Sequence, residues 1–215
     1  MAPATRTRDR ILEASLALFN ADGLAAVSTH RIAAELGISP GNLHYHFKAK
    51  QLIVAGLFRR FEERLVSCMD AAASVVAIDD LWLSLHLIFE AISEYRFVYR
   101  DIAYVLSEYP ELEPRAQALT AHNLLAAKCL CKSLKEAGVI EASEEDVEML
   151  ALQIVFSTTC WFSFRRLTPQ RGRMRGTQPH AEAALAAYYT LTFLSPYVTG
   201  EGRDYLNYLR SKYLR

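Results

Sequence analysis

The side chains best suited to specific hydrogen bonding lie close together between residues 39 and 50. An amide, two imidazoles and a phenol occur there, and each can donate or accept a hydrogen bond at a base edge or a phosphate oxygen. The polar set on this predicted short helix is Ser39, Asn42, His44, Tyr45 and His46. Unpaired backbone N–H groups at the start of such a helix can also approach phosphate. The spacing therefore favours contact with a polyanion.

Two short helices joined by a tight turn must position these side chains. Ser28 is a natural N-cap for the first helix, and Gly37 can take the positive φ that a sharp turn requires. Ser39-Pro40 then starts a second helix, with serine as the cap and proline at the first helical position. Ala33 is small where the two helices approach each other. Residues 28–46 thus have the organisation of a helix-turn-helix.

Apolar residues recur at helical spacing along the rest of the chain, and no alternating run predicts a β-strand. A first helix ends near Asp22-Gly23, and a fourth begins near Ala49 or Lys50. Further helices are predicted near 79–95, 97–108, 112–137, 144–167, 178–196 and 201–213. Pro169 to Pro179 is predicted to form a basic, glycine-rich loop. The expected fold is all-α, with a three-helix helix-turn-helix domain (1–52) joined by a linking helix to a larger helical bundle (53–215).

Composition fits a folded chain, and the charge fits either a polyanion-binding end or a charged, solvated surface. The 215 residues are 52% hydrophobic, which excludes a mostly disordered chain. The formal net charge is zero, but residues 1–60 hold eight basic and four acidic side chains, a local charge of +4. A net charge of zero for the whole chain therefore does not exclude a polyanionic partner, because nearby charges set the electric field at a binding face. No apolar run predicts a signal peptide or a membrane span.

The cysteines predict buried thiols and no metal site. Cys129-x-Cys131 has no second close cysteine or histidine pair at zinc spacing, although His122 lies upstream. Residues two apart on a helix point in different directions, so the pair is a poor chelate. The four cysteines fit a reducing cytoplasm, and we expect no metal or cofactor.

An extended pattern runs through the N-terminal quarter of the chain in fixed order and spacing. Its segments are Arg10-Ile11-Leu12-x-Ala14, Leu18-Phe19, Gly23, Ser28-Thr29-x-x-Ile32-Ala33, Leu36-Gly37-Ile38-Ser39 and Gly41-Asn42-Leu43-His44-Tyr45-His46-Phe47-Lys48-x-Lys50-x-Leu52-Ile53. The run from Thr7 to Phe58 resembles the DNA-binding domain of the TetR family of bacterial transcriptional repressors. His44 departs from the pattern, since the family more often has tyrosine there.

The resemblance implies a homodimer that binds a palindromic operator, with the third helix of each protomer in the major groove. The residues it assigns to DNA are Thr29, Ser39, Gly41, Asn42, His44, Tyr45, His46 and Lys50. Asn42 and His44 read bases or contact phosphate. Lys50 contacts phosphate or is a solvated surface lysine, and Tyr45 contacts phosphate or packs on Phe47.

The resemblance also implies an effector pocket among the later helices. Its candidate residues are Trp82, His86, Phe89, Arg100, Tyr104, Phe156, Cys160, Trp161 and Phe164. A cavity lined by aromatic rings with one His or Arg suits a mostly apolar ligand with a polar end. The alternative for any single residue is ordinary core packing.

The family pattern places the dimer interface on helices near 144–167 and 178–196. An alanine-rich run supports close helix approach there: Ala181, Ala183, Ala184, Ala186 and Ala187. The alternative is that this run is an internal face of one protomer.

No nucleophile elbow, phosphate-binding glycine loop or paired-histidine zinc motif predicts an enzyme. We expect a cytoplasmic, ligand-responsive regulator, by default a repressor, with no membrane partner. The alternative is a helical interaction protein that retains a helix-turn-helix domain without binding an operator.

Overall fold

The computed structural model describes residues 3–75, 77–167 and 179–213. Within these ranges the chain is helical, and extended pairing is confined to one isolated antiparallel bridge between Ile140 and Val198. The helices are α1 (Pro3–Asp22), α2 (Thr29–Glu35), α3 (Pro40–His46), α4 (Lys50–Ala72), α5 (Ile78–Glu94), α6 (Phe97–Arg100), α7 (Ile102–Glu108), α8 (Glu113–Glu136), α9 (Glu144–Leu167), α10 (Pro179–Leu191) and α11 (Gly200–Tyr213). The all-α prediction is confirmed. The predicted loop from Pro169 to Pro179 lies outside the described residues except for Pro179, which begins α10.

The two short helices begin at the predicted caps. The Ser28 hydroxyl accepts a hydrogen bond from the Arg31 N–H (3.2 Å), and the Ser39 hydroxyl accepts one from the Asn42 N–H (3.1 Å). Each cap satisfies one of the N–H groups that a helix start leaves without an intrahelical acceptor. Gly37 has φ +63°, the left-handed conformation that ends α2 and that side-chain-bearing residues rarely adopt.

The predicted helix over 97–108 is interrupted at Asp101. That residue has φ −114° and ψ 23°, and α6 ends before it while α7 begins after it. Its carboxylate accepts hydrogen bonds from the neighbouring Arg100 guanidinium and, at 3.4 Å, from the Leu24 N–H. Leu24 lies 77 residues away, outside any local periodicity, so the apolar pattern predicted one continuous helix.

The predicted helix over 178–196 also ends early. α10 stops at Leu191, and a 3₁₀ turn, Thr192–Leu194, follows it.

Contacts divide the chain into two compact units. The first comprises Met1–Glu63 and Tyr95–Arg115, and the second comprises Arg64–Glu94 and Ala116–Arg215. Helix α4 therefore begins in the first unit and ends in the second. The predicted domains 1–52 and 53–215 are a division by function and stay a prediction.

Aromatic contacts and hydrogen bonds from Arg100 hold the segment 95–101 within the first unit. The Phe61 ring lies 5.9 Å from the ring of Tyr95 and 5.2 Å from that of Tyr99. The Arg100 guanidinium donates to the carbonyl oxygens of Phe19 and Asn20, both at 2.8 Å. These carbonyls lie in the last turn of α1, where the helix leaves acceptors unsatisfied.

In the second unit, α5 packs along α10 more extensively than any other pair of helices. Ala183, Ala186 and Ala187 are fully buried, which allows the two backbones to approach closely. These three alanines therefore lie on an internal face of the unit. Assigning them to a dimer surface was wrong, because the pattern showed an apolar face without showing what covers it.

Helix α9 is both long and apolar. By length and composition alone it is the one described helix that could cross a membrane, and 44% of its most apolar window is buried in the fold. Its inner face belongs to the core of the second unit, with Val147, Leu150 and Ile154 almost fully buried.

Candidate functional site

A helix-turn-helix is present at residues 29–46, formed by α2, a tight turn and α3. The Ile38 N–H donates to the Ala33 carbonyl at 3.0 Å, which closes the turn. Ile32, Ala33 and Leu43 are buried beneath the junction. Because their apolar contacts fix α3 from below, its opposite face is directed to solvent.

The solvent face of α3 carries the predicted polar side chains. Ser39, Gly41, Asn42 and His44 are exposed, and Tyr45 is 73% exposed. The Tyr45 ring meets the half-buried His46 ring edge-on at 5.3 Å. This face offers an amide, imidazoles and a phenol, the groups that hydrogen-bond to base edges and phosphates.

A concave surface that encloses a volume of about 780 Å³ adjoins this face. It is lined from the loop before α2, the start of α2, and both ends of α3, and it includes the predicted Thr29, Gly41, His44 and Lys50. His30 and Lys48 also line it but were not predicted. The structure thus brings four predicted DNA-binding residues to one surface.

Lys50 is held inside the first unit. Its ammonium donates to the Leu24 carbonyl at 2.6 Å and lies 5.6 Å from the centre of the Phe19 ring. Burial lowers the Lys50 pKa, while the Glu108 carboxylate acts in the opposite direction. The assignment of Lys50 to phosphate stays a prediction, and the structure adds an internal role that sequence reasoning missed.

Lys48 is exposed in the turn between α3 and α4. The signal available for it was its place in the quoted sequence pattern, two residues before Lys50. An exposed ammonium beside a helix start suits phosphate, because it is not buried and has no competing partner among the described residues.

Four of the predicted effector residues come together in the second unit. The Trp82 and His86 rings stack at 5.3 Å, and the Phe89 and Trp161 rings meet at 6.2 Å. The first three lie on one face of α5, since they are four and then three residues apart. Tyr189 extends the group, with its ring 5.5 Å from that of Trp161.

The other five candidates lie elsewhere. Phe156 and Phe164 are 66% and 57% exposed on the outer face of α9, so they do not line an interior site of one protomer. Cys160 is half-buried, and burial raises the pKa of its thiol. Arg100 and Tyr104 belong to the first unit. The error at Phe156 and Phe164 arose because aromatic spacing does not reveal which side of a helix is covered.

Two buried polar atoms of the aromatic group have no hydrogen-bond partner among the described residues: His86 Nδ1 and Trp161 Nε1. His86 Nε2 lies 3.2 Å from a Glu90 carboxylate oxygen. When Nε2 carries the proton and donates it to Glu90, Nδ1 is a hydrogen-bond acceptor, whereas Trp161 N–H can only donate. One atom thus needs a donor and the other an acceptor, the two roles that a hydroxyl group combines.

The described residues contain no group of three or more His, Cys, Asp or Glu side chains arranged to hold a metal ion. The four cysteines are free thiols.

Two family models match most of the chain. One, described as "Bacterial regulatory proteins, tetR family", matches residues 11–57, and another, "Bacterial transcriptional repressor", matches residues 60–206. The first match contains α2 and α3, and the second contains most of the helices that follow.

Individual proteins resemble the chain over most of its length. The transcriptional repressor KstR2 of Mycolicibacterium smegmatis is 30% identical over 176 residues, covering 78% of this chain and 82% of its own. A TetR-family regulator from Marinobacter aquaeolei VT8 has a crystal structure with TM-score 0.82 and 31% identity, covering 96% of this chain and 98% of its own. A regulator from Saccharomonospora viridis, crystallised with choline, shares the fold at TM-score 0.72 and 19% identity, covering 91% and 100%.

Proposed function

The chain belongs to the TetR family of bacterial transcriptional regulators, and from that premise we propose that it binds a palindromic operator as a homodimer and leaves it when a small, mostly apolar effector binds. The observation that carries the proposal is the exposed polar face of α3 in an intact helix-turn-helix. The proposal places the protein in the cytoplasm, where chromosomal operators are accessible.

In the operator complex, α3 of each protomer enters the major groove. Asn42 and His44 are the proposed base readers, because an amide and an imidazole can pair with base-edge donors and acceptors. Tyr45, Thr29 and Lys48 are the proposed phosphate contacts, which set the register of the helix on the duplex. One seven-residue helix meets few bases, so two half-sites about 34–36 Å apart, or a multiple, supply the specificity.

The outer face of α9 supports the proposal of a dimer. Five of its exposed side chains are large and apolar: Met149, Leu152, Phe156, Phe164 and Leu167. An apolar face of this extent is uncommon on a monomer and typical of a permanent interface. Tyr189 and Phe193 on the neighbouring segment are also partly exposed and belong to the same proposed surface.

The aromatic group around Trp161 supports an effector site in the second unit. Its rings suit an apolar ligand, and the two unpartnered atoms, His86 Nδ1 and Trp161 Nε1, suit a hydroxyl at one end of it. The effector acts by favouring a conformation of the dimer whose two α3 helices do not match the half-site spacing. Helix α4 is the proposed link, because it contributes residues to both compact units.

The first test is selection of operator DNA from a random duplex pool by the purified full-length protein, at about 0.15 M salt. An enriched inverted repeat supports the proposed function. No enrichment, after any carried-over ligand has been removed by unfolding and refolding the protein, contradicts it and favours the interaction protein without operator binding.

The proposed effector binding is tested by the shift in melting temperature with straight-chain alcohols and with alkanes of equal length. The alcohols should raise the melting temperature more, and the difference should vanish in His86→Leu and Trp161→Phe. His122→Leu is the matched control, since its imidazole pairs with Asp70 outside the aromatic group. If no alcohol stabilises the wild type, the proposed effector chemistry is wrong.

A further inference from the structure

The C-terminal end of α3 needs support that its own length does not provide. The helix has seven residues, and isolated helices this short are unstable in water. At its last turn, the Phe47 N–H donates to the Leu43 carbonyl at 2.8 Å. The carbonyl oxygen of His46 is among the acceptors that the helix end leaves over.

Arg8 on α1 covers this end of the helix. Its Nη1 donates to the His46 carbonyl oxygen at 3.3 Å, and its guanidinium carbon lies 4.3 Å from the centre of the Phe47 ring. Phe47 is 1% exposed, so Arg8 packs on the outer side of a buried ring that anchors α3. Asp9, the next residue, pairs with Arg60 of α4 at 2.6 Å, which fixes this turn of α1 against the domain.

We propose that Arg8 is a positioning residue for the recognition helix, which holds the C-terminal end of α3 so that Asn42 and His44 face the bases in register. This inference rests on the proposed operator-binding function. The guanidinium supplies three effects at one place: a hydrogen bond to a spare carbonyl, a positive charge at a helix C-terminus, and a planar cation over an aromatic ring. Without the guanidinium, α3 is in its binding position in only part of the protein population. The operator affinity falls in proportion to that population.

A competing role for Arg8 is direct contact with operator phosphate. Lysine can take the place of Arg8 in a phosphate contact, but it cannot fully do so in the contact with Phe47 and His46. Lysine keeps the charge that a phosphate needs, but it lacks the planar group that covers Phe47 and donates to His46. The two roles also differ in salt dependence. Each lost phosphate contact reduces the steepness of log affinity against log salt, which we call the salt slope, by about one.

The experiment compares Arg8→Ala, Arg8→Lys and the matched control Arg6→Ala in the full-length protein. Arg6 is exposed on the same helix, and its replacement removes the same charge. Affinity for the selected operator and for a scrambled duplex of equal length is measured across a salt series. Amide hydrogen exchange of residues 43–47, without DNA, reads the order of α3 independently of operator binding.

Arg8→Ala should lower operator affinity about tenfold, and Arg8→Lys, which keeps the charge but not the planar group, should lower it by part of that factor. Neither variant should change the salt slope or the binding to the scrambled duplex. Both should also speed exchange at the end of α3, while Arg6→Ala leaves that exchange as in the wild type. The inference is overturned if Arg8→Lys binds like the wild type, or if Arg8→Ala lowers the slope by about one and weakens both duplexes equally.

Failure of the proposed function has a different signature. In that case the wild type itself selects no operator, and the exchange measurement alone decides whether Arg8 orders α3. Unchanged exchange in both Arg8 variants overturns the inference whatever the DNA result.

Discussion

At the scale of single residues, the two lysines after α3 divide between an internal and an external role. Lys50 is tied to the Leu24 carbonyl, whereas Lys48 is exposed on the concave surface that adjoins α3. The sequence pattern marks both but cannot rank them, because the partner of Lys50 lies 26 residues away.

Replacing each lysine by alanine should therefore give different results. Lys48→Ala should lower the salt slope of operator binding by about one and leave the unfolding free energy unchanged. Lys50→Ala should cost about 1 kcal/mol of unfolding free energy, because the Leu24 carbonyl loses its donor. If Lys50 also contacts phosphate, Lys50→Ala should lower the salt slope of operator binding as well. Denaturant unfolding and salt-series binding measure the two effects, and a Lys50→Ala protein of wild-type stability would show that the internal contact contributes nothing.

At the same scale, Arg100 and Asp101 form a half-buried pair at the break between α6 and α7. Their side chains are 12% and 17% exposed, and between them they bind Phe19, Asn20 and Leu24. The charges are thus compensated by each other and by backbone groups at the end of α1.

Arg100→Met should destabilise the protein by about 2–4 kcal/mol, because it leaves the Asp101 carboxylate without its cation. The double variant Arg100→Met/Asp101→Asn should recover part of the loss, since no unpaired charge remains. Urea unfolding of the three proteins gives these differences. A single variant as stable as the wild type would show that Asp101 finds another partner or water at no cost.

At the scale of elements, the start of α9 is fixed by a reciprocal cap. The Ser143 hydroxyl accepts from the Asp146 N–H at 3.1 Å, and the Asp146 carboxylate accepts from the Ser143 N–H at 2.9 Å and from the Tyr197 hydroxyl at 2.9 Å. This arrangement is a capping box with one additional donor from a distant segment. Hydrogen bonds from Ser143 are the main reason that the Asp146 pKa lies below its ordinary value of 3.8.

The lowered pKa fixes the direction of a pH effect. Since the folded protein binds the Asp146 proton more weakly than the unfolded chain does, the carboxylate stabilises the fold above its ordinary pKa. That contribution is lost as the pH falls through and below about 4. Asp146→Asn should therefore be less stable than the wild type at pH 7, and the difference should shrink toward pH 3. Thermal melts across this range measure it, and a constant difference would contradict the assignment.

At the scale of the whole molecule, two apolar surfaces among the described residues of the second unit differ in what covers them. The α5–α10 contact is closed within the unit, whereas the outer face of α9 is exposed. Of these two, the face of α9 is the one that we propose for contact with another copy of the chain.

Charge on the outer face of α9 should separate the proposed dimer. Phe156→Glu in the centre of that face should give the mass of one chain in light scattering at micromolar concentration and abolish operator binding, because a buried unpaired carboxylate is strongly unfavourable. Leu125→Glu is the matched control, as Leu125 is 64% exposed on α8. A wild-type protein with the mass of one chain would defeat the dimer proposal. Phe156→Glu with the mass of two chains would place the interface elsewhere.

The sequence by itself determined most of the helices, the caps of α2 and α3 and the helix-turn-helix, and through them the family. These features depend on neighbours within about one turn: Ser28 caps a donor three residues on, and Gly37 ends α2 through its own backbone freedom. The polar face of α3 followed as well, because Leu43 marks the opposite, buried side of that helix.

Only the tertiary structure decided which surfaces are covered and which charged side chains have a partner within the fold. Arg8 meets His46 across 38 residues, and Asp101 meets Leu24 across 77. The chain brings such partners together through packing of whole helices, and no local period encodes that packing. For the same reason three of the five alanines expected at a dimer surface proved internal, and Phe156, expected in a pocket, faces outward. Spacing gives each helix an apolar side, but the fold determines what lies against it.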